Sequence, residues 1–278
     1  MQALAGAQIE MRSVLESPIS VRDWLFKKSL LNSEPTPQWV VGAGHSTHRS
    51  VLISRRYFKA KAILLMRPSA PLSWFDACII PQHDNPPVRD YVLATHGVIN
   101  TMTPHLTGRI PHQGVILIGG RSAHFEWDSE NICQQVAKIC LAQPTLQWTL
   151  STSRRTPEDF AQILQQKKIR NLTLIPAELT PQGWVREQLE RAAQVWVSRD
   201  SVSMVFESIT AGAPTGLLQL PAAKLSRVVN SMTEVVKQGW AMDIENWNLR
   251  LPLPSSPQKL WESDRAARWL LQRFGVKK

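Results

Sequence analysis

The sequence predicts an α/β protein of two domains, each built around a parallel sheet. Short apolar runs recur along the chain, and each ends in a polar turn containing Gly or Pro. One stretch, residues 194–220, reads as a complete strand–turn–helix–turn–strand unit. The pattern also restarts after Gln143-Pro-Thr145, and 278 residues suit one large or two medium domains.

Taken in order, Ala3 to Leu31 is expected to be helical, including the amphipathic piece Ser20 to Leu31. Pro35 and Pro37 mark a loop. Gln38 to Val41 is a short strand that runs into Gly42-Ala-Gly-His-Ser-Thr-His48. Thr47 is a candidate cap for a helix from His48 to Phe58, and the glycines let a ligand approach the backbone closely. Ala62 to Met66 and Ala77 to Ile80 are the next strands, the second leading into Pro81-Gln-His-Asp84. Val92 to Ala94 precedes Thr95-His-Gly-Val-Ile-Asn100. Val115 to Ile118 precedes Gly119-Gly-Arg-Ser122. Such turns gather along the carboxyl edge of a parallel sheet, where ligands bind. Glu130 to Leu141 then reads as a helix.

After Gln143-Pro-Thr145, Gln147 to Leu150 is a strand followed by Ser151-Thr-Ser-Arg-Arg-Thr-Pro-Glu-Asp159. Thr156 suits a helix cap, Pro157 the first helical position, and Glu158 and Asp159 complement the helix dipole. Ser153, Arg154 and Arg155 thereby stand beside a helix N-terminus, where hydroxyls, amides and guanidinium forks suit a diphosphate. The alternative is a basic surface turn. Asn171 to Ile175 is a further strand, and Gly183 to Ala193 and Ala223 to Lys237 are further helices.

Within residues 194–220, Gln194 to Val197 ends a buried strand. Asp200 and Ser201 are cap types before a helix over Val202 to Ala211, and Gly212 and Pro214 close it. Glu207 is a carboxylate on a mostly apolar helix. It is either a group that accepts two hydrogen bonds from a ribose or a solvated residue on the outer face. The closing segment, Pro257 to Phe274, is amphipathic with interspersed arginines. It either packs on a domain or lies on a membrane.

Composition restricts the function classes. The formal net charge of +10 favours polyanions, anionic membrane surfaces or phosphate-bearing ligands. The basic pairs Lys27-Lys28, Arg55-Arg56, Arg154-Arg155 and Lys167-Lys168 are dispersed, and no nucleic-acid module is recognisable, so no nucleic-acid partner is expected. No apolar run is long enough to span a bilayer, and the Met1 end does not read as a secretory signal. Cys78, Cys133 and Cys140 fit neither a zinc site nor a disulfide framework, which points to the cytosol. His45 and His48 have i, i+3 spacing without an evident third ligand, so no metal is expected.

The chain resembles the mitochondrial-fission Elm family. The signposts are Gly42-Ala-Gly-His45, Pro81-Gln-His-Asp84, Gly97-Val-Ile-Asn100 with Thr103-Pro104, Gly119-Gly-Arg-Ser122, Thr152-Ser-Arg-Arg-Thr156, and Asp200-Ser-Val-Ser-Met204 with Glu207 and Gly212-Ala-Pro214. They occur in order and cover most of the chain. The resemblance implies a GT-B-type glycosyltransferase, with two Rossmann-like domains facing a cleft and no cofactor beyond a nucleotide-sugar donor substrate. The implied domains are an acceptor-side domain over residues 1–142, a nucleotide-sugar-binding domain over 143–256, and a closing helix in 257–278 that packs back on the first. The first domain is expected to lack its first strand and Gly-rich turn, because Gln2-Ala-Leu-Ala-Gly6 reads as the start of the first helix.

On this resemblance Ser153, Arg154 and Arg155 bind the diphosphate, Glu207 holds the ribose, and Asp200, Ser201 and Ser203 complete the donor site. His83, Asp84 and His45 are the candidate bases of the first domain. The acceptor is expected in the cell envelope, and the location is cytoplasmic, with peripheral contact at the cytoplasmic membrane face. A non-catalytic interaction protein at a membrane surface and a nucleotide-sugar epimerase are the competing readings.

Overall fold

The structure, a computed structural model, describes residues 37–249 and 251–275. The expected N-terminal helix and the missing first strand fall outside them. The chain forms two units, one ending at Ile99 and resumed at Glu262, the other spanning Asn100–Trp261.

In the first unit, β1 (Trp39–Gly42), β2 (Lys61–Leu64), β3 (Ala77–Pro81) and β4 (Val92–Thr95) form a parallel sheet in that order. Alternation along the strands divides the side chains between two faces. Ala62, Leu64, Cys78 and Ile80 pack against Val51 of α1 (His48–Phe58) and against Phe75. Ile63, Ala77 and Ile79 pack against Ala266 and Leu270 of the closing helix, Glu262–Phe274. With both faces covered, β3 is buried at every position, as its unbroken apolar run requires.

The closing helix is held by its charges as well. Glu262, buried, accepts from the His96 N–H at 2.9 Å and pairs with Arg265, which also donates to the Ala94 carbonyl at 2.5 Å. Arg268 pairs with Asp264, and Arg273 donates to the Asp90 carbonyl at 2.9 Å. The arginines that suggested a membrane surface therefore have protein partners. Among the described residues, no helix is long and apolar enough to cross a membrane.

The second unit contains β5 (Ile110–Leu117), α2 (Ser129–Ala142), β6 (Gln147–Ser151), α3 (Asp159–Gln166), β7 (Leu172–Ile175), α4 (Trp184–Arg191), β8 (Ala192–Ser198), α5 (Val202–Thr210), β9 (Thr215–Leu218), α6 (Arg227–Lys237) and β10 (Met242–Asp243). Its parallel sheet runs β7-β6-β5-β8-β9-β10. This is the doubly wound Rossmann order, with the direction of winding reversed between β5 and β8.

That order corrects the expected boundary at Gln143–Thr145. β5 and α2 precede that turn, yet β5 lies at the centre of the second sheet, paired with both β6 and β8. The turn is an ordinary helix-to-strand connection. The Asn171 side-chain amide fastens it by donating to the carbonyls of Cys140, Gln143 and Leu146. The division falls instead at Ile99 and Asn100. The cap assignments also change. Asp128 caps α2 by accepting from the Asn131 N–H; Thr47 holds the expected N-cap position of α1 but its hydroxyl donates to the Gly44 carbonyl, and Thr156 donates to the Ile118 carbonyl. α3 accordingly starts at Asp159.

Glycine facing tryptophan sets the spacing within this sheet. Trp196 of β8 is fully buried, and its ring lies over Gly216, its register partner on β9. A Cβ at Gly216 would stand 2.4 Å from that ring. Gly216→Ala is expected to destabilise the second unit by about 1–3 kcal/mol through overpacking. A tryptophan-fluorescence denaturation curve should show the lower midpoint, and an unchanged midpoint would contradict this packing.

Candidate functional site

The carboxyl ends of β5, β6 and β8 bring together three of the signpost turns. After β5, the Gly119 N–H donates to Ser198 Oγ at 2.7 Å, and the Gly120 N–H donates to Asp200 Oδ2 at 2.9 Å. Ser198 Oγ in turn donates to Asp200 Oδ1 at 2.7 Å. After β6, Ser153 Oγ donates to the Gly119 carbonyl at 2.6 Å, and the Thr156 hydroxyl donates to the same oxygen. Arg155 Nη2 lies 3.0 Å from Asp200 Oδ2, while Nη1 donates to the Arg121 carbonyl at 3.1 Å.

Only glycine permits this approach. A Cβ at Gly119 would fall 2.2 Å from Asp200 Oδ2, and one at Gly120 would fall 2.1 Å from the Arg155 carbonyl oxygen. Burial pushes the Asp200 carboxyl upward, while the Gly120 N–H, Ser198 and Arg155 draw it back. The geometry points to an ionised carboxylate, because both oxygens are engaged by donors.

The sequence-nominated donor residues therefore divide. Asp200 is 7% exposed and faces into the knot, as do Ser153 and Arg155. Arg154 is exposed and has no hydrogen-bond or ionic partner among the described residues. Ser201 occupies the N-cap position of α5, but its hydroxyl makes no capping bond, and Ser203 is exposed in the first turn. The N–H groups of Val202, Ser203 and Met204 precede the first intrahelical donor, which is Val205 to the Ser201 carbonyl. These amides have no side-chain cap from Ser201.

Glu207 lies two turns along α5. It is half-buried, and its carboxyl accepts no hydrogen bond from the described residues. Burial raises its pKa, and the charge of Arg186 partly offsets the rise. Arg186 is placed by donating to the Thr101 carbonyl at 2.6 Å. Nearby, Asn100 donates to Thr210 Oγ1 at 3.1 Å, so residues 100–101 run beside the same helix. Sequence reading missed both Arg186 and the anchoring role of Arg109. The Arg109 guanidinium donates to the carbonyls of Leu189, Ala192, His105 and Ala211, the last at the C-cap of α5.

In the first unit, the candidate bases stand at the carboxyl edge of its sheet. His45 follows β1, exposed, with its ring centroid 5.4 Å from that of buried His48. Burial, and then the nearby His45, lowers the His48 pKa, and its Nδ1 lies 3.3 Å from Ser69 Oγ. His83 and Asp84 form a single 3-10 turn after β3, closed by Asn85 at φ +50°. Arg67 fixes that turn by donating to the carbonyls of Asp84 and Asn85. His45 and the His83–Asp84 turn thus follow strands separated in the sheet by β2. Among the described residues, no three His, Cys, Asp or Glu side chains gather as a metal site would need.

The fold is of the α/β class, with a parallel sheet in each unit. The chain belongs to the mitochondrial fission ELM1 family, whose sequence model matches residues 3–274. A Listeria monocytogenes protein, provisionally described as a UDP-N-acetylglucosamine 2-epimerase, superposes with a TM-score of 0.55. Its identity is 11%, over 87% of this chain and 76% of its own. UDP-GlcNAc 2-epimerase from Methanocaldococcus jannaschii, in complex with UDP-GlcNAc and UDP, gives 0.48 at 11% identity over 84% and 76%. Acinetobacter baumannii MurG gives 0.43 at 11% identity over 85% and 68%. A search of curated protein sequences gives no match.

Two expectations follow from the geometry. Arg155→Ala removes the charge partner of buried Asp200. Because Arg155 is itself partly exposed, the loss should be about 1–3 kcal/mol rather than the full cost of breaking a buried pair. Arg154→Ala should leave stability within about 0.5 kcal/mol. Thermal melting should separate the two variants, and equal midpoints would refute the division of roles. For Glu207, the raised folded-state pKa means that the stability it favours is present at acid pH and lost as pH rises through that pKa. Glu207→Gln should therefore melt at or above the wild-type temperature at neutral pH, with the difference shrinking on acidification. A variant that melts lower at neutral pH and converges nowhere would contradict an unpaired carboxylate.

Proposed function

We propose that the protein is a glycosyltransferase that moves a sugar from a nucleoside-diphosphate donor to a hydroxyl acceptor of the cell envelope. The observation that carries the reading is the winding-reversal point of the second sheet. Here an unpartnered cation, Arg154, stands on the turn after β6, and the uncapped N-terminus of α5 follows the turn after β8. A diphosphate matches these groups, with Arg154, the first-turn amides of α5 and the hydroxyls of Ser201 and Ser203 as donors. Glu207, farther along the same helix, accepts hydrogen bonds from the ribose hydroxyls, and Arg186 holds its charge in place. Asp200, Ser153 and Arg155 keep the loops in position rather than bind the ligand.

In the transfer step, the acceptor oxygen forms a bond to the anomeric carbon. The bond from that carbon to the diphosphate oxygen breaks, and the nucleoside diphosphate leaves with the electron pair. The acceptor proton passes to a base, for which His45, His83 and Asp84 are the nominees. Arg154 and the amides of α5 stabilise the charge that develops on the leaving diphosphate.

Arg154→Ala is expected to weaken nucleoside-diphosphate binding by about ten- to a hundredfold while leaving nucleoside binding nearly unchanged. Glu207→Gln should weaken nucleoside-diphosphate binding and spare inorganic pyrophosphate, because an amide has one acceptor oxygen where the carboxylate has two. Titration calorimetry tests both. A wild-type protein that binds no nucleoside diphosphate would end the proposal. A donor sugar that changes configuration without acceptor would instead identify an epimerase.

A further inference from the structure

We propose a second anion site, for a phosphate-bearing ligand with an apolar or aromatic part, at the amino-terminal edge of the first unit's sheet. A cavity of about 640 Å³ lies there, lined by Arg55, Arg56, Lys59, Lys61, Trp74 and Asp76 among others. Its place is opposite the carboxyl-edge turns, because Lys61 begins β2 and Asp76 immediately precedes β3. The volume is within the range of small-molecule sites.

The lining holds four cations and one carboxylate. Asp76 already accepts from the Ala62 N–H at 2.9 Å and pairs with Arg55 at 3.1 Å and Lys61 at 3.5 Å. Arg55 also donates to the Trp74 carbonyl at 2.6 Å. These contacts hold Arg55 and Lys61 in place. Arg56 and Lys59 are exposed and have no partner among the described residues. With four positive charges against one negative, a monocarboxylate leaves the cavity cationic, whereas a phosphate monoester or diphosphate offsets most of the excess.

Two further features point to a ligand rather than to a solvated helix end. Trp74 leaves half of its surface exposed at the cavity, which provides a flat apolar wall beside the cations. Lys59 takes the left-handed conformation, φ +53°, that ends α1, a position glycine occupies with less strain. A lysine there places an ammonium group at the rim of the cavity. The bland alternative, cations complementing the helix dipole, accounts for the charge but not for the indole wall.

The test is calorimetric titration of the full chain with inorganic phosphate and phenyl phosphate. The Arg154→Ala protein serves as background, so that the carboxyl-edge site of the second unit is weakened by about ten- to a hundredfold. Wild-type cavity residues should bind phenyl phosphate about tenfold tighter than inorganic phosphate, and Trp74→Ala should abolish that preference. The exposed double variant Arg56→Ala/Lys59→Ala keeps the Asp76 pairs and should weaken both probes at least tenfold. Phosphatidic acid vesicles, whose headgroup is a phosphate monoester, form the second arm, with phosphatidylcholine as control. Loss of vesicle binding in the double variant, without binding of either free probe, assigns the phosphate to a lipid headgroup. Loss of free-probe binding assigns it to a soluble ligand. If the double variant changes neither, the site does not exist. Failure of nucleoside-diphosphate binding elsewhere leaves this result intact.

Discussion

The Asp200 carboxylate is the constraint around which the second unit's carboxyl edge is arranged. One group receives the Gly120 N–H, the Ser198 hydroxyl and the Arg155 guanidinium, and so ties together the turns after β5, β6 and β8. Those turns lie where the sheet reverses its winding, the place where a Rossmann fold would otherwise leave a crevice between loops. The protein fills the base of that crevice with its own anion. Gly119 and Gly120 follow from this as steric requirements, since any Cβ would overlap the carboxylate or the Arg155 backbone. The consequence for chemistry is a division of labour between adjacent arginines. Arg155 is consumed by the fold, whereas Arg154 is exposed and has no partner among the described residues.

The same economy shapes α5. Its C-terminal end is fastened by Arg109, whose guanidinium reaches the Ala211 carbonyl and three others, and by the Gly212 turn at φ +76°. Its N-terminal end has a residue type that caps helices but no capping bond. A helix anchored at one end and unsatisfied at the other presents its amides without needing to move. Burying Asp200 deepens this, because the carboxylate just before the helix is turned away from the amides and spent on Gly120. The first-turn amides therefore receive no side-chain cap from Ser201 or Asp200.

How much of this was legible in sequence depended on whether the signal was local. The strands at Ala77 to Ile80 and Val115 to Ile118 announced themselves as buried apolar runs, and Gly212 and Pro214 marked the end of α5. The set of turns was legible for the same reason. Two things were not. The Pro in Gln143-Pro-Thr145 resembled a linker, because sequence does not show that Asn171, 28 residues away from Gln143, pins the turn's carbonyls. The roles of Arg154 and Arg155 were likewise indistinguishable, because what separates them is Asp200, brought near only by the pairing of β5 with β8. Thr156 misled for a related reason, its hydroxyl being drawn to the Gly119 carbonyl rather than to the helix that follows.

Net charge gave the weakest guidance, and the structure shows why. A formal +10 suggested polyanions or membranes, yet charge constrains partners only where it is uncommitted. The arginines of the closing helix are committed to Glu262, Asp264 and Asp90, within their own unit. Arg109 is committed to backbone carbonyls, Arg155 to Asp200 and Arg199 to Asp243. Arg154, Arg56 and Lys59, by contrast, are exposed and have no partners among the described residues. They belong to two different units and stand at opposite kinds of sheet edge, the carboxyl edge of one and the amino edge of the other.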